Sequence, residues 1–220
     1  MIKKLDLYIG DSDRVFVVGD IHGEITKLNN KLDEIGFDKE KDTLISVGDL
    51  IDRGEDSLSC LSLIQESWFK SVRGNHEDLM INSLLNNEDN YLACWIQNGG
   101  GWYFNLNQED QIYVKDLAKI AEDLPYVIEL NYKGMKYVIC HADYPNNIYT
   151  GDIEDEELFD IIWSRRRIES FMKNQMINRI EGADMFIFGH TPLRSITHVS
   201  NCMYIDTGAV FNKDLTIVQL

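Results

Sequence analysis

Five short motifs concentrate the side chains able to hold a metal ion: Gly19-Asp20-Ile21-His22-Gly23, Gly48-Asp49-Leu50-Ile51-Asp52-Arg53-Gly54, Arg73-Gly74-Asn75-His76-Glu77, Cys140-His141-Ala142 and Gly189-His190-Thr191. Each motif alone is weak, because Gly-Asp is a common turn pair and a lone histidine after a strand is usually a hydrogen-bonded structural residue. Together they form a pattern. Of the five histidines, His22, His76, His141 and His190 directly follow an apolar run; His198 does not and reads as an exposed or satisfied residue. A carboxylate, carboxamide and imidazole set without thiolates suits Mn, Fe or Zn better than Ca, without choosing among them.

The elements that must position these groups are strands. Runs rich in β-branched and aromatic residues recur at Arg14–Gly19, Thr43–Gly48, Lys70–Arg73, Lys136–Cys140, Met185–Gly189 and Met203–Asp206, and their near-continuous apolarity predicts buried central strands. Between the first three lie helical spacings, Leu28, Leu32 and Ile35 after Glu24, then Leu58, Leu61 and Ile64 up to Trp68. The early chain is therefore β-α-β-α-β, an α/β fold. Asp49 follows Asp20 by 29 residues and Asn75 follows Asp49 by 26, each about one βαβ unit of roughly 30 residues. Such units return their polar tips to the carboxyl edge of a sheet, where ligands gather. The segment Asn86 to Leu124 breaks this rhythm, with polar residues, Gly99-Gly100-Gly101 and a helical stretch near Val114 to Ile120; it reads as an inserted helical or loop subdomain. With only three prolines and no linker-like stretch, residues 1–220 read as one domain.

Composition excludes several classes. The hydrophobic fraction is 44%, enough for a core and unlike a disordered polyanion. Acidic residues outnumber basic ones 37 to 21, a formal net charge of −16, which argues against a protein that neutralises nucleic-acid phosphates. The same charge opposes phosphorylated substrates through the global field. Cys60, Cys94, Cys140 and Cys202 form no Cys-x-x-Cys pair, so neither a disulfide framework nor a thiolate zinc site is expected. No apolar run approaches the roughly 20 residues of a membrane span. A cytoplasmic protein, in the host cytoplasm if phage-encoded, and a monomer without nucleic-acid or membrane partners, is the expectation.

Nearly end to end, from VVGDIHG through ISVGDLIDRG, VRGNHE, NGGGW, YVICHADYP, FIFGHTP and YIDTGAVF, the chain resembles the lambda-type serine/threonine protein phosphatases of the calcineurin-like metallophosphoesterases. The resemblance implies a calcineurin-like metallophosphoesterase fold, a central β-sandwich flanked by helices with a small helical insertion, and two divalent ions, most often Mn²⁺. Asp20 and His22, two apart, can reach one ion, Asp49 can bridge a pair, and Asn75, His141 and His190 complete the second; the family assigns the same groups. A hydroxide bridging the metals would attack phosphorus directly. The leaving alkoxide needs a proton, for which His76, paired with Asp52, is the general acid. Arg53 offers a planar fork to phosphate, and from Arg165, Arg166 and Arg167 the resemblance singles out Arg165 as a second clamp. Trp102 beside the three glycines borders the substrate groove or forms a structural turn, and Asp206 is left outside the site. Glu24 departs from the family pattern, and segments 86–124 and 149–159 match less well.

The resulting expectation is a metal-dependent phosphatase acting on phosphoserine and phosphothreonine, and on phosphotyrosine if the groove is open, in proteins or peptides. A symmetrical dinucleoside tetraphosphate hydrolase shares part of the motif set. A non-catalytic interaction module of the same fold would have lost ligands, and none is missing. The surplus acid predicts a preference for basic or neutral residues flanking the phosphorylated one.

Overall fold

Strand β2 (Val15–Val18) has no solvent face: all four residues are buried. Side chains alternate along a strand, so Val15 and Val17 pack into one apolar cluster while Phe16 and Val18 pack into another. That double burial fixes the architecture of the computed structural model, which describes residues 3–86 and 88–220.

From β2 the chain runs through α1 (Ile25–Glu34), β3 (Thr43–Ser46), α2 (Ser57–Ser62) and β4 (Phe69–Ser71). Strands β2, β3 and β4 pair in parallel, as the β-α-β-α-β reading expects. Helix α1 buries Leu28 and Leu32 against them, and α2 starts at Asp56, whose carboxylate accepts the Ser59 N–H at 2.9 Å. The closing strand β10 (Ile217–Gln219) adds antiparallel to β2.

A six-stranded sheet packs on this one. Its members are β1 (Lys4–Tyr8), β5 (Val127–Tyr132), β6 (Met135–Cys140), β7 (Met185–Phe188), β8 (Thr197–Val199) and β9 (Cys202–Tyr204), in the order β1-β5-β6-β7-β9-β8. Val15, Val17 and Ile45 from the smaller sheet, with Val72 just past β4, meet Ile128, Leu130, Ile139 and Ile187 from the larger one in a shared apolar layer. Helices cover both outer faces: α6 (Leu158–Trp163) and α7 (Arg166–Met172) contribute Ile161, Ile162 and Ile168 beside Phe186 and Phe188. The sandwich flanked by helices is thus present.

Residues 88–124 are largely helical, comprising α4 (Asp89–Gln97), a 3-10 turn (Gly100–Asn105) and α5 (Gln108–Ala121) behind α3 (Asn75–Leu84). They are not set apart from the rest. Trp95, Tyr103, Val114 and Leu117 are buried in the same cluster as Leu28 and Leu61. Among the described residues no helix is long and apolar enough to cross a membrane.

Candidate metal centre

The carboxyl ends of five strands meet at one place. His22 follows β2, Asp49 follows β3, Asn75 opens α3 after β4, His141 follows β6 directly, and His190 follows β7. Three come from the smaller sheet and two from the larger, so the site straddles the top of the sandwich. Sharp turns are built in: His22, Asp49, Asp52, Arg53 and His190 all have φ between 45° and 74°, a region non-glycine residues seldom occupy and one that clusters at functional sites. Gly74 lies so close to Asp49 that an added Cβ would sit on the Asp49 carboxylate and backbone nitrogen.

One residue that the sequence reading left unassigned stabilises the strained Asp49 turn. The buried Glu77 carboxylate accepts N–H groups from Asp49 (2.9 Å), Leu50 (2.8 Å) and Gly74 (3.0 Å). Burial and the nearby Asp49 raise Glu77 to about 6.

Two groups of ligand atoms share Asp49: His22, Asp49 and His76 form one, and Asp49, His141 and His190 the other. Asp49 Oδ2 lies 3.6 Å from His22 Nε2, 3.8 Å from His76 Nε2 and 3.2 Å from His141 Nε2. Asn75 joins the second group, its Oδ1 being 2.9 Å from His141 Nε2, which also lies 3.2 Å from His190 Nδ1. The far nitrogens rest on backbone carbonyls: His22 Nδ1 on Ile51 O (2.8 Å), His141 Nδ1 on Val47 O (2.8 Å) and His190 Nε2 on Trp163 O (3.1 Å). Donating there fixes the tautomer and turns the other nitrogen's lone pair inward, the arrangement typical of metal-ligating imidazoles. Burial lowers His22 to about 3 and His190 to about 2, keeping both neutral. Burial alone would raise Asp49, but His141 above all, with His76 beside it, holds it well below the usual carboxylate range. Buried oxygens and inward imidazole lone pairs around one shared carboxylate fit a pair of divalent cations.

Asp20 is buried at the same place yet lies outside both groups: its oxygens accept the His190 N–H at 3.0 and 3.1 Å. Burial, together with Asp206 and Asp49, raises it well above the usual range. Asp206, which the sequence reading left out, is therefore a neighbour of the site, itself raised to about 6 by burial. One oxygen accepts the Gly208 N–H at 2.8 Å.

His76 differs from the other three imidazoles because its Nδ1 meets a carboxylate, Asp52 Oδ2, at 2.6 Å. Arg53 spans the mouth, its guanidinium donating to His22 Nε2 (2.7 Å) and His76 Nε2 (2.8 Å). A cavity of 310 Å³ opens there, with Arg53, His76, Trp163, Arg165, His190 and Phe211 in its lining. The three consecutive arginines part company. Arg166 pairs with Asp160, Arg167 pairs with Asp143 at 3.0 Å, and Arg165, which forms no ion pair among the described residues, faces the cavity.

Comparison with known proteins agrees with this geometry. A family model described as calcineurin-like phosphoesterase matches residues 13–205. The chain is 42% identical over 209 residues to Serine/threonine-protein phosphatase 1 of Salmonella typhimurium, covering 94% of this chain and 91% of that one. It is 40% identical over 206 residues to Serine/threonine-protein phosphatase 2 of Escherichia coli, covering 94% and 92%. A crystal structure provisionally described as a diadenosine tetraphosphatase superposes with a TM-score of 0.70 over 100% of this chain and 98% of that one, at 19% identity, which is a likeness of fold.

Proposed function

The chain belongs to the calcineurin-like phosphoesterases, and on that premise we propose that it is a metal-dependent serine/threonine protein phosphatase. The observation that carries this reading is the Asp49 carboxylate shared between His22 on one side and His141, His190 and Asn75 on the other, beneath a cavity faced by two arginines. The names of the relatives at 42% and 40% identity support it. At 310 Å³ the cavity falls within the range of about 300–1,000 Å³ for ligand sites.

In this reading Asp20 and His22 would hold one divalent ion and Asn75, His141 and His190 the other, with Asp49 shared between the two sets. Such ions, Mn²⁺ by resemblance, would supply an acidified water and neutralise phosphate charge. Arg53 and Arg165 grip phosphate oxygens through planar N–H forks. As water replaces the ester oxygen on phosphorus, the proton on His76 passes to the leaving serine or threonine oxygen. His76 suits that role because Asp52 holds its Nδ1 at 2.6 Å, which fixes the ring with Nε2 toward the cavity. The local field thereby reverses the global −16.

Phosphate release from phosphoserine and phosphothreonine peptides tests the proposal. Activity should vanish on chelation and return with Mn²⁺; no release from either peptide with any divalent ion would overturn it. The same titration has a thermal readout. Metal at 100 times its dissociation constant adds about 2.7 kcal/mol to folding stability, which for a chain of this length raises Tm by roughly 5–10 °C. Equal melting temperatures with Mn²⁺ and with chelator would contradict the ligand assignment.

A further inference from the structure

The Asp52 carboxylate is completely buried, and among the described residues no lysine or arginine pairs with it. Its partners besides His76 are two indoles. Trp95 Nε1 lies 3.0 Å from both carboxylate oxygens and Trp102 Nε1 lies 2.7 Å from Oδ1. Burying a carboxylate is costly unless its lone pairs are filled. An arginine would fill them but also neutralise the charge facing His76. An indole only donates and brings no charge of its own.

The surrounding chain is shaped for these contacts. Trp95 comes from α4 and is fully buried, while Trp102 comes from the 3-10 turn after the three glycines. The two rings meet edge to face, centroids 6.3 Å apart. Gly99, at φ 114°, lies against Arg53, where a Cβ would come within 2.8 Å of Cγ. A Cβ on Gly100 would press into the Trp95 indole, whereas one on Gly101 would meet nothing within 4 Å. The two glycines that cannot carry a side chain are the two packed on Arg53 and Trp95.

We propose that Trp95 and Trp102 are positioning residues for proton donation: by fixing the Asp52 carboxylate they fix the His76 ring, so that segment 86–124 acts on the leaving-group side of the reaction. The proposal rests on the reading of His76 as proton donor. Its signature is a split between substrates. A phosphoserine peptide expels an alkoxide that needs the proton, whereas an aryl phosphate expelling nitrophenolate does not.

The experiment measures kcat on both substrates for the Mn²⁺-loaded wild type, Trp102→Phe, Gly101→Ala and His76→Asn. Trp102→Phe keeps an aromatic ring, though a smaller one, and loses the N–H. Its kcat on the phosphoserine peptide should fall roughly tenfold, part of the ~10²–10⁴-fold worth of general acid catalysis, with KM little changed and a far smaller fall on the aryl phosphate. Gly101→Ala should match wild type on both. Equal losses on the two substrates, or no loss, would overturn the inference while His76→Asn still shows the split. If His76→Asn itself shows no split, the reading of His76 fails and the inference falls with it. Should Trp102→Phe not fold, Trp95→Phe removes the two 3.0 Å bonds and is read by the same ratio.

Discussion

Asp49→Ala is expected to lose at least about three orders of magnitude in kcat/KM and to bind metal poorly. The size follows from its place: Asp49 belongs to both ligand groups, and even outer-shell partners of metal ligands are commonly worth ~10–100-fold in affinity or activity. Its Oδ1 also accepts the His76 backbone N–H at 3.0 Å, so the substitution loosens the first turn of α3 where Asn75 sits. Metal content of the purified variant by elemental analysis checks the claim. Two tightly held ions per chain in Asp49→Ala would refute the bridging role even if activity were lost.

His76→Asn should lower kcat on a phosphoserine peptide by roughly 10² to 10⁴, the usual contribution of a positioned proton donor, with KM changing little. Two features argue for that selectivity. His76 Nδ1 is held by Asp52 at 2.6 Å, whereas His22, His141 and His190 rest on backbone carbonyls. Its Nε2 faces the cavity beside Arg53, where a leaving oxygen would stand. Steady-state kinetics on the metal-loaded variant decides the matter: an unchanged kcat would remove His76 from proton transfer.

Much of the site was legible because its chemistry follows buried strands whose residues read as uninterrupted apolar runs. Val15–Val18 and Met185–Phe188 have both faces covered, so each stands out and its polar successor stands out with it. Other elements carry polar residues with tertiary reasons. Strand β5 contains Glu129, neutralised by Lys136 at 3.2 Å and bonded by the Tyr149 hydroxyl at 2.9 Å, and no local pattern announces those partners. The same holds for Glu77, whose three N–H donors come from two separate turns, and for Trp95, whose indole reaches Asp52 across 43 positions of sequence. Spacing could not separate Arg165 from Arg166 and Arg167; the acids beside the latter two do. Asp206 stays outside the site in the sequence reading because its closeness to Asp20 exists only once the two sheets pack, with Gly19 against Ile205 and Asp206.

The charge of −16 is informative in the same way. Asp20, Asp49, Asp52 and Asp206 are all buried at the site; on the proposed reading Asp20 and Asp49 would hold cations and Asp52 orients His76, so none of the four meets phosphate as an exposed charge.

The most direct test of the account compares kcat/KM for a phosphoserine peptide with that for diadenosine tetraphosphate, on one Mn²⁺-loaded preparation at one ionic strength. The account predicts that the peptide is favoured by at least about tenfold, a transition-state difference of roughly 1.4 kcal/mol. Preference for the dinucleotide would contradict it.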